Sequence, residues 1–160
     1  MKTGIQTSCS GKCAAMKINI DKESLIGDIQ KQFTAHYSFL KIQFHKKRSS
    51  DKRFIREEPA APCELFRNLS GTDKTGIVNI NCKRSIADVE NEFKNKYGVD
   101  AEILRKSGTL WIETSLTDDW SLEKQNKEGE QISSHTAIII KHNADSIINY
   151  LGNQNREAAG

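Results

Sequence analysis

The densest chemistry in this 160-residue sequence is a basic run, His45-Lys46-Lys47-Arg48-Ser49-Ser50-Asp51-Lys52-Arg53. Clustered lysine and arginine neutralise phosphates and release counterions, so Lys46, Lys47, Arg48, Lys52 and Arg53 are the candidate partner-binding residues. The run holds no stacking aromatic of its own, and Phe39, Phe44 and Phe54 beside it read as core. Cys9 and Cys13 flank Ser-Gly-Lys, a spacing that could supply half of a zinc site or a redox pair. A zinc site needs a second such pair, and Cys63 and Cys82 stand nineteen residues apart, so the expectation is free thiols. Asp118-Asp119 could be an acid-base or metal pair, but an aspartate ahead of a helix is more simply its N-cap. His36, His45, His135 and His142 lie at no catalytic or metal-ligating spacing. A phosphate-binding glycine loop, a nucleophile elbow and a zinc-protease helix are all missing. The reading is therefore of a chain that is not an enzyme, with no catalytic, cofactor-binding or metal residue assigned.

The elements that must hold these residues are best read from 77–104. Val78 and Ile80 alternate with Asn79 and Asn81, the period of a strand with one buried face. Ile86, Val89, Phe93 and Tyr97 then fall on one side of a helix. Ser85 is placed to cap it with Asp88 three residues on, and Gly98 suits the left-handed position that ends it. Val99, Ala101 and Ile103 alternate again, and Ser107-Gly108 is a turn into Leu110-Trp111-Ile112.

The same pattern occurs 60 residues upstream, where Asn19, Ile20, Ile26, Asp28, Phe33 and Tyr37 match Asn79, Ile80, Ile86, Asp88, Phe93 and Tyr97. Matches at inward positions predict a duplicated unit. Leu25 stands where Ser85 caps the second copy, so Asp21 or Ser24 is expected to cap the first helix. The basic run occupies the place of the Ser107-Gly108 turn and reads as an extended hairpin loop with Phe54-Ile55 returning. Leu65, Phe66 and Leu69 predict a short helix ending at Gly71. After the second hairpin the pattern predicts a short helix over 120–127 stopped by Gly129, a buried strand over 136–141, and a last short helix closed by Gly152.

Composition bounds the rest. A 36% hydrophobic share with 28% charged residues is that of an ordinary globular chain. No apolar run approaches the roughly 20 residues of a membrane helix, and residues 1–11 carry no secretory h-region, so the expected location is the cytoplasm. Residues 1–70 hold 13 Lys+Arg against 7 Asp+Glu and residues 71–160 hold 11 against 14, so a net +6 is followed by −3. The first half could thus face an acidic partner, a solvated basic surface being the commoner reading of such a balance.

Ser85-Ile86-Ala87-Asp88-Val89 opening a helix, a hairpin over 103–110 around Ser107-Gly108, Thr117-Asp118-Asp119-Trp120-Ser121-Leu122 and a closing strand over 136–140 resemble, in that order, the ubiquitin-like β-grasp. The chain is also similar to small uncharacterised bacterial proteins with a duplicated unit, on Phe93, Tyr97-Gly98 and the Asp118-Asp119-Trp120-Ser121-Leu122 turn. The resemblance implies an α+β fold of tandem β-grasp-like units, each a small mixed sheet with one main helix. A ferredoxin-like α/β sandwich fits the first half almost as well. The expected organisation is a flexible tail over 1–14, repeat units over 15–75 and 76–152, and a flexible tail over 153–160. There is no diglycine tail for conjugation, only Ala-Ala-Gly. The functional expectation is an adaptor-like module whose partner is another protein, with nucleic acid on the basic loop as the alternative and no membrane association.

Overall fold

The computed structural model describes residues 16–46 and 58–157, without the side chains of 146–157. In chain order the elements are β1 (Lys17–Ile20), α1 (Ile26–His36), β2 (Leu40–His45), α2 (Phe66–Ser70), β3 (Gly76–Asn79), α3 (Ile86–Tyr97), β4 (Asp100–Ser107), β5 (Leu110–Glu113), a 3-10 turn (Ser115–Thr117) and α4 (Leu122–Glu157). The fold is α+β, with two small antiparallel sheets of order β1-β3 and β2-β4-β5. None of the described helices is long and apolar enough to cross a membrane.

The strand at residues 76–79 pairs backwards, with β1 rather than with its own half. In that ladder Lys17 faces Asn79 and Asn19 faces Ile77, so adding 60 to one partner and subtracting it from the other returns the second pair. The same swap turns Ile20–Gly76 into Met16–Ile80, which the Ile80 amide closes at 3.0 Å on the Met16 carbonyl. The second ladder obeys it too: Leu40–Arg105 becomes His45–Asp100. Each half therefore finishes both of its sheets with strands of the other.

The helices lie against these sheets through the apolar stripes read from the sequence. Ile26, Ile29 and Phe33 of α1 and Ile86, Val89, Phe93 and Tyr97 of α3 are buried with Ile42, Phe44 and Ile103. Phe44 makes edge-on contacts with Phe93 at 5.1 Å and with Phe66 at 5.4 Å between ring centroids, joining both halves in one core. The Tyr37 hydroxyl adds a cross-half bond, donating to the Ile80 carbonyl at 2.7 Å.

Helix ends are satisfied in two ways. Ser85 and Asp88 form the expected reciprocal capping pair on α3, and Gly98 ends it with φ 68°. At α1 the expected Asp21 or Ser24 cap does not form. Ser24 is turned back onto Asp21, and the first amides of α1 bond main-chain carbonyls instead, Ile26 to Glu64 at 2.9 Å and Gly27 to Pro62 at 2.8 Å. The arrangement recurs at α3, where Ile86 and Ala87 donate to Trp120 and Asp118.

The C-terminal third departs from expectation. The segments 120–127, 136–141 and 147–151, predicted as helix, strand and helix, fall from residue 122 onward in the single helix α4, and Gly129 and Gly152 lie inside it. Gly129 is there for a close approach: a Cβ would stand 2.9 Å from the Phe39 Cβ and 3.1 Å from the Phe39 carbonyl oxygen. Ser121, not Asp118 or Asp119, accepts the Lys124 amide at the start of α4. The helix propagates from this anchored first turn, and Thr136 satisfies its own hydroxyl on the Ile132 carbonyl at 2.8 Å. Ile138, Ile139 and Ile140, read as a buried strand, are 66%, 49% and 55% exposed.

Two substitutions separate these environments. Phe93→Ala should lower unfolding stability by about 3–5 kcal/mol, the cost of emptying a buried aromatic site. Ile139→Asp should stay within about 0.5 kcal/mol of wild type, as for an exposed position. Urea unfolding followed by circular dichroism measures both, and a collapse of the Ile139→Asp protein would show that residue to be core.

Candidate functional site

The phase of the β2·β4 ladder decides which backbone groups are left over. Lys106 donates to the Phe39 carbonyl at 2.9 Å, so in the register of this ladder the pairs 41–104, 43–102 and 45–100 exchange hydrogen bonds. The groups of Ile42 and Phe44 then point away from β4, and those of Ala101 and Ile103 away from β2. Each orphan is met by a side chain or loop of fitting polarity. Gln30 donates its amide to the Ile42 carbonyl at 3.0 Å, and Ala60 donates to Phe44 at 2.8 Å. On the other side β5 would continue the ladder, but its pairing stops at Leu104–Glu113. There the Glu90 carboxylate accepts the Ile103 amide at 2.8 Å and the Thr114 hydroxyl donates to the Ile103 carbonyl at 2.6 Å.

The gap left by this early stop is a cleft of about 790 Å³. Its walls carry His45, Glu90, Asp100, Glu102, Trp111 and Glu113, with Ala101 and Thr114 where the ladder breaks off. Among the described residues no lysine or arginine lines it. Glu102 lies 3.1 Å from Nε2 of His45 and Asp100 lies 3.0 Å from the Lys94 ammonium. A carboxylate accepts, so Nε2 carries the proton, and Nδ1 is buried without a hydrogen-bond partner among the described residues. Among the described residues neither Glu90 nor Glu113 has an ion-pair partner. Burial pushes the Glu90 carboxyl up from 4.5 to about 7, opposed by the Ile103 amide and helped by the charges of Glu102 and Asp118. The arrangement can hold a cation or keep a proton near neutrality. It offers no activated nucleophile.

Few of the residues singled out by chemical type reach this cleft. His45 does. Lys46 instead pairs with Glu64 at 3.1 Å on the surface, while Lys47, Arg48, Lys52 and Arg53 lie outside the described residues, as do Phe54-Ile55, Cys9 and Cys13. Asp118 and Asp119 sit exposed in the turn before α4, where Asp118 is engaged through its carbonyl with Ala87. Cys63 is free and exposed, whereas Cys82 is buried and disulfide-bonded, against the expectation of free thiols. Among the described residues no group of three or more His, Cys, Asp or Glu could hold a metal ion. Glu90 and Glu102 escaped the sequence reading. The available signal was the 60-residue offset, which sets Glu90 against Gln30 where the flanking stripe is otherwise kept.

No family model matches the chain, and no match is found among curated proteins or solved structures.

The Glu90 shift has a definite sign. The folded chain holds the proton more tightly than the unfolded chain between about pH 4.5 and about 7, so stability is higher below that interval and falls as pH rises through it. Glu90→Gln keeps an acceptor for Ile103 and removes the titration. Passing from pH 4.5 to pH 8 should shift the stability difference in favour of the variant by about 1–2 kcal/mol, reduced from the full shift because the group is partly solvated. Denaturant unfolding at the two pH values gives the difference; an unchanged value would mean that Glu90 ionises normally.

Proposed function

We propose that this chain is a non-enzymatic protein-interaction module, made of two copies of a β-grasp-like α+β unit, which takes its partner as an extended segment on the outer edge of β5. The duplication is supported by the two ladders, in which residues 60 apart exchange places. It is also supported by the helix entries: Phe66 and Leu122 donate to Ser24 and Arg84, as Ile26 and Ile86 donate to Glu64 and Trp120.

The docking edge is supported by a single observation: β5 carries Leu110, Trp111 and Ile112, is exposed along its whole length and, among the described residues, pairs on one side only. Its phase turns the backbone groups of Leu110 and Ile112 toward β4, so those of Trp111 and Glu113 face outward. Leu110 is 67% exposed, and Leu116 just beyond the strand is 97% exposed. Edge strands are commonly guarded by lysine, proline or a bulge, and β5 has no lysine or proline. Such an edge gives affinity through main-chain bonds and specificity through alternate side chains.

Glu113→Pro tests the edge, because it deletes an outward N–H at no cost to the β4 ladder. In affinity purification from the native cell the wild-type chain should retain a saturable protein partner that the proline variant, with an unchanged melting temperature, retains at least tenfold less. Equal retention would remove β5 as the docking edge.

A further inference from the structure

We infer that the segment received at β5 is basic, and that the cleft beside the strand takes its lysine or arginine side chain. The inference rests on the reading of β5 as a docking edge and adds the chemistry of the partner. Side chains of an added strand alternate between faces, so every second residue comes to lie beside Trp111 and Glu113, which share the cleft face of the sheet.

Among the described residues, the acidic groups on the walls that it meets outnumber their partners. Glu102 accepts from His45 Nε2 and Asp100 pairs with Lys94, but among the described residues Glu90 and Glu113 have no ion-pair partner and no lysine or arginine lines the walls. A recess of one charge sign focuses the field and raises the local concentration of the opposite sign. A carboxylate or an apolar side chain set there would desolvate Glu90 and Glu113 without compensation. A guanidinium or ammonium would instead pair with them, and the Trp111 indole offers a face for a cation–π contact. The chain already uses that contact elsewhere, with the Lys124 ammonium 3.5 Å from the Trp120 ring centroid. The cleft volume of about 790 Å³ leaves room for a long side chain.

The test is a selection from a random dodecapeptide library displayed on phage against the full chain, followed by titration of the enriched peptides monitored by Trp111 fluorescence in a Trp120→Phe background. Enriched peptides should carry lysine or arginine at every second position and weaken at least tenfold between 50 and 300 mM salt, as an ion-paired contact at a partly open site requires. They should weaken at least tenfold again in the Glu90→Gln/Glu113→Gln protein. N-methylation of alternate peptide amides should abolish binding. Enriched peptides free of basic residues yet sensitive to N-methylation would overturn the charge preference and leave the edge standing. Peptides indifferent to N-methylation, or no enrichment at all, would overturn both. Sedimentation that reveals self-association of the chain, lost in the double variant, would identify a second copy as the occupant and overturn the proposal of a separate basic partner.

Discussion

The antiparallel pairing of β2 with β4 is the constraint from which the remaining geometry follows. It joins the two halves edge to edge, sets Ile42 against Ile103 and Phe44 against Ala101, and gives the helices one shared apolar surface on which Phe44, Phe66 and Phe93 meet. A slip of one residue would turn every one of these side chains to the opposite face. Because β1 and β3 are tied by the same exchange of positions, neither half can complete a sheet without the other.

The phase of that pairing also distributes the polar work. Ile42 and Ile103 face one another, yet their free backbone groups point in opposite directions and differ in kind. The helix above Ile42 supplies an amide donor, Gln30, to a carbonyl; the helix beside Ile103 supplies a carboxylate, Glu90, to an amide. A buried orphan of either type is costly, so the polarity of the side chain follows the polarity of the group it must satisfy. At Glu90 this brings a carboxylate into a poorly solvated place beside Glu102. Burial there, with the nearby charges of Glu102 and Asp118, raises the proton affinity of Glu90.

The helix α4 shows how far local preference yields to anchoring. Ile138, Ile139 and Ile140 are β-branched and, taken alone, favour a strand. They follow a helix already nucleated at Leu122, which is fully buried, and held by Asn126, whose side chain accepts the Phe39 amide at 2.9 Å. Once those turns exist, adding residues costs little. Gly129 punctuates the sequence without stopping the helix, because its missing side chain is what lets α4 pass over Phe39.

Periodic burial and terminal chemistry could be read in one dimension. The stripes of α1 and α3, the Ser85 cap, the Gly98 stop and the Gly108 turn each depend on residues within a few positions of one another, and all lie where the pattern puts them. The 60-residue offset likewise marked which positions face inward. Strand partnership, the fate of 136–141 and the cleft depend on groups far apart in the chain. His45 meets Glu102 across 57 residues, and Glu90 acquires its environment from the end of a strand it does not belong to. Spacing along a chain records which face a side chain takes; it does not record which backbone group a distant ladder leaves unpaired, and that is what assembled this site.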